Sequence, residues 1–129
     1  MTARHLVTSG SRLEPEIGFS RAVRVGAQIA VAGTAPIAAD GTATVGGSVY
    51  EQTKRCLEIV ERAIIEAGGS LRHVTRTRIM LTDIGTWQEA ARAHGEYFAG
   101  IRPACTFVQV GGFIDPAWLV EVEADAVID

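Results

Sequence analysis

Apolar residues recur at helical spacing along one long segment in the middle of the chain, from Ser48 to the pair Gly68-Gly69. Ser48 and Glu51 have the spacing of a capping box, in which a hydroxyl and a carboxylate each accept a hydrogen bond from a free backbone N–H. The apolar stripe comprises Val49, Thr53, Cys56, Val60, Ala63, Ile64 and Ala67. The pattern predicts an amphipathic helix about 30 Å long, which needs a sheet to cover its stripe.

Shorter runs rich in β-branched and apolar residues predict a set of strands around that helix. The step Gly26-Ala27 separates the first two runs and predicts a hairpin. The expected strands are Ala22 to Val25, Gln28 to Ala32, Val74 to Leu81, Ala104 to Val110 and Leu119 to Val127. A second amphipathic helix is predicted from Thr86 to Phe98. Its face comprises Trp87, Ala90, Ala91, His94 and Phe98.

The order of these elements, ββ-α-β-α-ββ, is typical of an α+β fold with a mixed sheet. Both helices are expected to lie on one face of that sheet. The opposite face then has to contact either water or another protein. Because 47% of the residues are hydrophobic in so short a chain, we expect a second copy of the chain to cover that face, which predicts an oligomer.

Length and charge restrict the kind of protein further. The chain has 129 residues and a mass of 13.7 kDa, which predicts a single domain over residues 1–129. Its net charge of -3 argues against a nucleic-acid partner, since such modules carry a basic excess. No apolar run reaches the ~18 to 20 residues of a membrane helix, and the first five residues lack the apolar core of a signal peptide. We therefore expect a cytoplasmic protein without membrane contact.

Three carboxylates alternate along the last predicted strand, at Glu121, Glu123 and Asp125. They are expected to project from one face of the sheet about 6 to 7 Å apart. Crowded carboxylates repel one another, which can raise the pKa of one member and suit it to general acid or base catalysis. The alternative is a polar face paired with Arg76 and Arg78, which alternate in the same way on another strand. We favour that alternative for Glu123 and Asp125.

The two cysteines are too few for a disulfide framework, and no CxxC or His/Cys cluster predicts a metal site. Cys56 lies on the apolar stripe and is expected in the core. Cys105 follows Arg102-Pro103-Ala104, and a nearby guanidinium can lower the pKa of a thiol and make it a nucleophile. The alternative is a small apolar side chain packed in a strand. We favour the alternative, because His94 is the only candidate base near Cys105 in the sequence.

Gly33 ends an apolar run and precedes Thr34-Ala35-Pro36. A glycine at this position either lets backbone N–H groups face a ligand or only serves the turn. Taken one by one, these residues do not name a function.

Six segments of the chain share their order and spacing with a known family, and together they extend nearly from end to end. They are GFSRAVRVG at 18–26, VAGTAP at 31–36, EQTKRCLEIVERAIIEAGGSL at 51–71, RTRIMLTDI at 76–84, RPACTFVQV at 102–110 and LVEVEADAV at 119–127. These segments resemble the RidA family of reactive-intermediate deaminases, also called the YjgF-like family. The resemblance implies a chorismate-mutase-like α+β fold in which three subunits close their sheets into a barrel. It places the helices outside and small-molecule pockets at the subunit interfaces.

The same resemblance implies a hydrolase of enamines and imines that forms 2-keto acids and ammonia without a cofactor or a metal. By position, Glu121 matches the glutamate that helps to place the attacking water. Gly33 matches a backbone contact with the substrate, and Phe19 matches an aromatic wall of the pocket.

One position departs from the family pattern. Active members read Arg-Pro-x-Arg where this chain reads Arg102-Pro103-Ala104-Cys105, so Cys105 stands where the carboxylate-binding arginine is expected. A thiol cannot make a bidentate contact with a carboxylate. At ~1.5 to 3 kcal/mol per charged hydrogen bond, the loss weakens substrate binding by several kcal/mol. This departure argues against the standard activity on 2-iminobutanoate and 2-iminopropanoate.

Three functions stay open from the sequence. The first is related hydrolysis of a different substrate, activated by Glu121, with the anion-binding group either missing or supplied by Arg102 or Arg21. A substrate without an α-carboxylate suits Cys105 better. The second is a non-catalytic protein that binds a metabolite in the interface pocket. The third, nucleophilic chemistry at Cys105, lacks an evident base.

Overall fold

The computed structural model describes residues 3–41 and 43–129. In chain order, the elements within these residues are β1 (Arg4–Val7), α1 (Leu13–Ile17), β2 (Ala22–Val25), β3 (Gln28–Thr34), α2 (Val49–Glu66), β4 (Val74–Leu81), α3 (Trp87–Phe98), β5 (Ala104–Gln109) and β6 (Val120–Val127). Short 3-10 turns precede β4 and α3. None of the described helices is both long and apolar enough to span a membrane.

The strands form one mixed sheet in the order β1-β2-β3-β6-β4-β5. β4 and β5 run parallel, whereas the other neighbouring pairs in this order are antiparallel. The five predicted strands are present, and the β2–β3 hairpin turns at Gly26, which has a φ of 63°. A positive φ of this size favours glycine. The α+β class and the mixed sheet are therefore confirmed.

The predicted element order is wrong at its beginning, because β1 and α1 precede the hairpin. β1 pairs antiparallel with β2, which places Val7 opposite Ala22. α1 is held by Glu14, whose carboxylate accepts hydrogen bonds from Thr8 Oγ1 at 2.8 Å and from Ser9 Oγ at 2.6 Å. Elements of four and five residues are too short to show a period, so tertiary contacts decide their structure.

α2 lies across one face of the sheet and covers the core with the predicted stripe, all of which is buried. The helix begins after Ser48, whose Oγ accepts a hydrogen bond from the Glu51 N–H at 3.2 Å, which is one half of the predicted capping box. It ends where Gly68 takes a φ of 98° and the Gly69 N–H donates to the Ile64 carbonyl at 2.9 Å. The predicted start and end of this helix are confirmed.

α3 packs beside α2 on the same side of the sheet, as predicted. Its buried face differs from the predicted one, since Ala90, Ala93 and Phe98 are buried and Trp87 is 46% exposed. Trp87 is the first residue of α3 and lies over the sheet edge, where its ring meets Phe107 of β5 edge-on at 6.2 Å between centroids. The edge of the sheet offers this ring a neighbour on one side only, which explains its exposure.

The two long helices leave the opposite face of the sheet uncovered. Ion pairs cross this face between β4 and β6: Arg78 binds Glu123, and Arg76 Nε lies 3.9 Å from Asp125 Oδ2. The interpretation of these two carboxylates as a paired polar face is confirmed. Farther toward β1, the same face exposes apolar side chains, with Leu6 57% exposed, Val25 41% and Val127 42%.

Candidate functional site

Gly33 lies in an irregularity of β3, where the Glu121 carboxylate of β6 rests against the β3 backbone. The β3–β6 register shifts between Val31 and Thr34, so β3 holds one residue more than β6 in this stretch. A Cβ added at Gly33 would lie 2.8 Å from Glu121 Oε1, which is closer than nonbonded atoms approach. Glycine is therefore the residue that leaves room for the carboxylate.

Arg21, just before β2, reaches the same glycine through its side chain. Its Nη1 donates to the Gly33 carbonyl at 2.6 Å and to Thr34 Oγ1 at 3.2 Å. Arg21 is only 7% exposed, and its guanidinium carbon lies 5.3 Å from the centroid of the Phe19 ring. Phe19, Arg21, Gly33 and Glu121 thus form one group, although they are distant in the chain.

Burial dominates the charge properties of this group. It raises the pKa of Glu121 above the ordinary value of 4.5, while nearby Arg21 opposes the shift and Glu123 adds to it. Burial also lowers the pKa of the Arg21 guanidinium, against the opposing effects of Glu14 and Glu121. A carboxylate with a raised pKa is a stronger base than an exposed one, so Glu121 is suited to accept a proton from water.

The group lines a cavity of about 1260 Å³ between α2 and the chain segments that precede β2 and follow β3. Trp118 also lines the cavity, and its Nε1 donates to Thr44 Oγ1 at 2.9 Å. A cavity of this size can hold a small metabolite. Four of the six residues singled out in the sequence therefore share one cavity within a single chain: Phe19, Arg21, Gly33 and Glu121.

Gln52 positions the wall of this cavity and was not foreseen from the sequence. Its amide is buried, donates to the carbonyls of Val45 and Ala117 at 3.1 Å each, and accepts from the Leu119 N–H at 2.9 Å. These bonds join two loops to α2 and hold the start of β6, which carries Glu121. The available signal was an amide next to the apolar stripe of α2, where a buried polar group needs partners.

Arg102 and Cys105 lie elsewhere in the fold. Both are exposed, and Arg102 has a φ of 59° in the turn before β5. Cys105 is in register with Thr77, a buried residue on the helix side of the sheet, whereas Glu121 projects from the opposite side. Two strand spacings separate β5 from β6, about 10 Å. Within one chain, these residues do not join the group at Gly33.

His94 is near Cys105 in the fold as well as in the sequence, but it is engaged with another residue. Its Nε2 lies 2.8 Å from Thr77 Oγ1, its ring stacks on Phe98 at 4.6 Å between centroids, and burial lowers its pKa. Among the hydrogen bonds of the described residues, none joins His94 to Cys105. The arrangement gives no support to a nucleophile at Cys105.

Across residues 3–41 and 43–129, no three His, Cys, Asp or Glu side chains converge into a possible metal site. The fold and the cavity define a small α+β protein with a carboxylate and an arginine at a bulge of its central sheet.

The comparison with known proteins then places the chain in a family. The Endoribonuclease L-PSP family matches residues 9–128. An uncharacterized protein of Streptomyces coelicolor is 42% identical over 121 residues, which cover 93% of this chain and 89% of that protein. A RutC family protein of Pyrococcus abyssi is 32% identical over 124 residues, covering 96% and 97%. The chain belongs to the RidA/YjgF-like family.

Solved structures agree with this assignment. A Mycobacterium tuberculosis member of the YjgF/YER057c/UK114 family superimposes with a TM-score of 0.89 and 41% identity, covering 98% of this chain and 100% of that one. A Rid family protein from Yersinia pestis gives a TM-score of 0.87 at 25% identity, with the same coverage. The family resemblance seen in the sequence is confirmed.

Proposed function

We propose that the protein binds a small metabolite in the cavity at Gly33 and hydrolyses a C=N or enamine bond in it. The observation that carries the proposal is the Glu121 carboxylate, which burial makes more basic and which lies against the backbone of Gly33 inside the cavity. General base catalysis needs a carboxylate of this kind within reach of a water molecule. The net charge of -3 also favours a small metabolite over a nucleic acid.

The chemistry requires one water and releases one ammonia. Glu121 takes a proton from the water as its oxygen attacks the imine carbon, and the carbon–nitrogen double bond becomes a single bond. That proton then passes to the nitrogen, which gives a carbinolamine. The hydroxyl of the carbinolamine loses its proton, the nitrogen takes up a proton, and the carbon–nitrogen bond breaks to leave a carbonyl and ammonia. An enamine first takes up a proton at carbon and loses one from nitrogen, which gives the same imine. No step uses a metal or an organic cofactor, in keeping with the family resemblance.

The proposed active assembly is a homotrimer, because the single chain leaves two surfaces incomplete. The uncovered sheet face exposes Leu6, Val25 and Val127, and β5 is a sheet edge with one unpaired side. Closing three sheets into a barrel would cover both surfaces. The family resemblance also puts the pockets at the subunit interfaces, where Arg102 and Cys105 of a neighbouring copy would approach the cavity.

Light scattering coupled to size exclusion is expected to give a mass about three times 13.7 kDa. As a matched pair, Val25→Glu on the uncovered face should lower this mass because it buries a charge in the interface. Gln88→Glu, on the exposed surface of α3 and outside the cavity, should leave the mass unchanged. A wild-type mass of 13.7 kDa at micromolar concentration would contradict the trimer.

Imine hydrolysis can be measured by competition with semicarbazide. An amino-acid oxidase generates imines from a panel of amino acids, and semicarbazide traps them as semicarbazones, which absorb in the ultraviolet. We expect catalytic amounts of the protein to suppress semicarbazone formation for at least one member of the panel. If none of the semicarbazones decreases, hydrolysis of amino-acid-derived imines is excluded.

A non-catalytic binding protein is the second candidate, and Cys105 is the observation that favours it. The carboxylate-binding arginine of active family members is absent from this position. A protein of this kind would bind a small metabolite in the cavity, for which the stable 2-oxobutanoate is one probe, and leave semicarbazone formation unchanged. Calorimetry with the purified protein separates the two functions, because it detects binding without turnover.

A further inference from the structure

Arg21 is a buried cation with which no carboxylate of the described residues forms an ion pair. It is 7% exposed, and none of the ion pairs among the described residues includes it. A buried charge without a partner is costly, and proteins pair such charges with an acid or with a ligand. The absence of a direct carboxylate partner among the described residues is therefore a feature of the cavity that needs a reason.

Two acids lie near Arg21, and their surroundings differ. Glu14 accepts hydrogen bonds from the hydroxyls of Thr8 and Ser9 and from the Ser9 N–H, which holds it to the loop before α1. Glu121 rests against Gly33. Both are close enough to affect the pKa of Arg21, but neither forms an ion pair with it.

The guanidinium of Arg21 keeps donors for a further partner. A guanidinium has five N–H groups, and the two hydrogen bonds to Gly33 and Thr34 both use Nη1. In the described part of the chain, Nε and Nη2 donate no hydrogen bond. Neither atom is among the buried polar atoms without a partner, so both are open to the cavity. These two nitrogens form the edge of the guanidinium that matches the two oxygens of a carboxylate. The Arg21 side chain, which carries these nitrogens, lines the cavity next to Phe19.

We propose that Arg21 binds the carboxylate of the ligand and determines the specificity of the pocket, in place of an arginine at position 105. The carboxylate then lies on Nε and Nη2 of Arg21, and the reacting carbon lies toward Glu121 across Gly33. The catalytic part of this arrangement rests on the proposed function, whereas the binding part does not. Arg102 of the same chain does not line the cavity, because it lies exposed in the turn before the sheet edge.

The test is calorimetric titration with 2-oxobutanoate, the stable keto analogue of an imino acid. Wild-type protein is expected to bind it, and Arg21→Gln should weaken binding about 100-fold, because charged hydrogen bonds are lost. Arg21→Lys keeps the charge but loses the two parallel N–H donors of the guanidinium, and it should weaken binding about 10-fold. The matched control is Arg72→Gln, a surface arginine outside the cavity that pairs with Asp129, and its affinity should equal that of the wild type.

Two further probes make the outcome decisive. Butanone, which lacks the carboxylate, should bind wild type and Arg21→Gln with the same weak affinity. Inorganic phosphate should bind more weakly than 2-oxobutanoate, since stronger binding would indicate a general anion site and overturn the carboxylate assignment. Equal affinity of Arg21→Lys and wild type, or no binding of 2-oxobutanoate by the wild type, would also overturn it.

The binding result is independent of turnover. If Glu121→Gln leaves any hydrolysis unchanged while Arg21→Gln loses the ligand, the catalytic proposal fails and the anion site stands. Should Arg21→Gln fail to fold by circular dichroism, the Arg21→Lys titration decides the question.

Discussion

Replacing Glu121 with glutamine is expected to lower the rate of imine hydrolysis about 10²- to 10⁴-fold, the usual contribution of a general base. Glutamine has nearly the same shape as glutamate, but its amide cannot accept the proton from water. The change keeps the contact with Gly33, so ligand binding should change little. Semicarbazide competition measures the rate, and calorimetry with 2-oxobutanoate measures the binding.

The matched control is Glu123→Gln, two residues along the same strand and on the same face of the sheet. Glu123 pairs with Arg78 and does not line the cavity. Its replacement should keep most of the activity, with an effect only through the small rise that Glu123 gives to the pKa of Glu121. Equal losses in the two variants would contradict a specific function of Glu121.

The pH dependence follows from the direction of the pKa shift of Glu121. The base must be ionised, and burial raises its pKa above 4.5, so the rate should fall as the pH drops through that raised value. The ionised form is also less stable in the folded protein than in the unfolded chain. This penalty is complete above the folded pKa and absent below the unfolded pKa. Glu121→Gln should therefore melt at a higher temperature than the wild type at neutral pH, and the difference should vanish in acid.

The Gly33→Ala variant is expected to lose about 100-fold in hydrolysis, although it folds. Its Cβ would lie 2.8 Å from Glu121 Oε1, so the carboxylate has to move away from the bulge. The carboxylate is the end of a flexible side chain, which makes this movement possible without unfolding. A displacement of about 1 Å of a catalytic group is enough for such a loss. The rate of hydrolysis, measured by semicarbazide competition, should fall more than the affinity for 2-oxobutanoate, measured by calorimetry.

Gly95→Ala provides the control for adding a methyl group. Gly95 lies within α3, and a Cβ there meets no atom within 4 Å. This variant should keep its activity and gain about 0.5 to 1 kcal/mol of stability, since glycine weakens a helix.

If the methyl at Gly33 acts through Glu121, the double variant Gly33→Ala, Glu121→Gln should be no slower than Glu121→Gln alone. Additive losses would show that Gly33 acts by another route.

Much of the scaffold could be predicted from local patterns. The stripe of α2, with its cap at Ser48 and its end at Gly68-Gly69, has a period that only a helix satisfies. The alternation of Glu123 and Asp125 with buried neighbours indicates one polar face of β6. Such patterns are readable because they repeat over several turns or residues. β1 and α1 are too short for a repeating pattern of apolar residues, so their structure depends on pairing with β2 and on the hydrogen bonds of Glu14.

The candidate site could be predicted only in part. Family resemblance pointed to Phe19, Gly33 and Glu121, and Arg21 and Arg102 were the alternatives for replacing the arginine that the family has at position 105. Within one chain, the tertiary structure places Arg21 in the cavity and leaves Arg102 at the sheet edge. The insertion of β6 between β3 and β4 also brings Glu121 to Gly33. Strand order and the register shift in β3 arise from packing between distant segments. Neither feature can be predicted from a local sequence pattern, and together they determine which charged side chains line the same cavity.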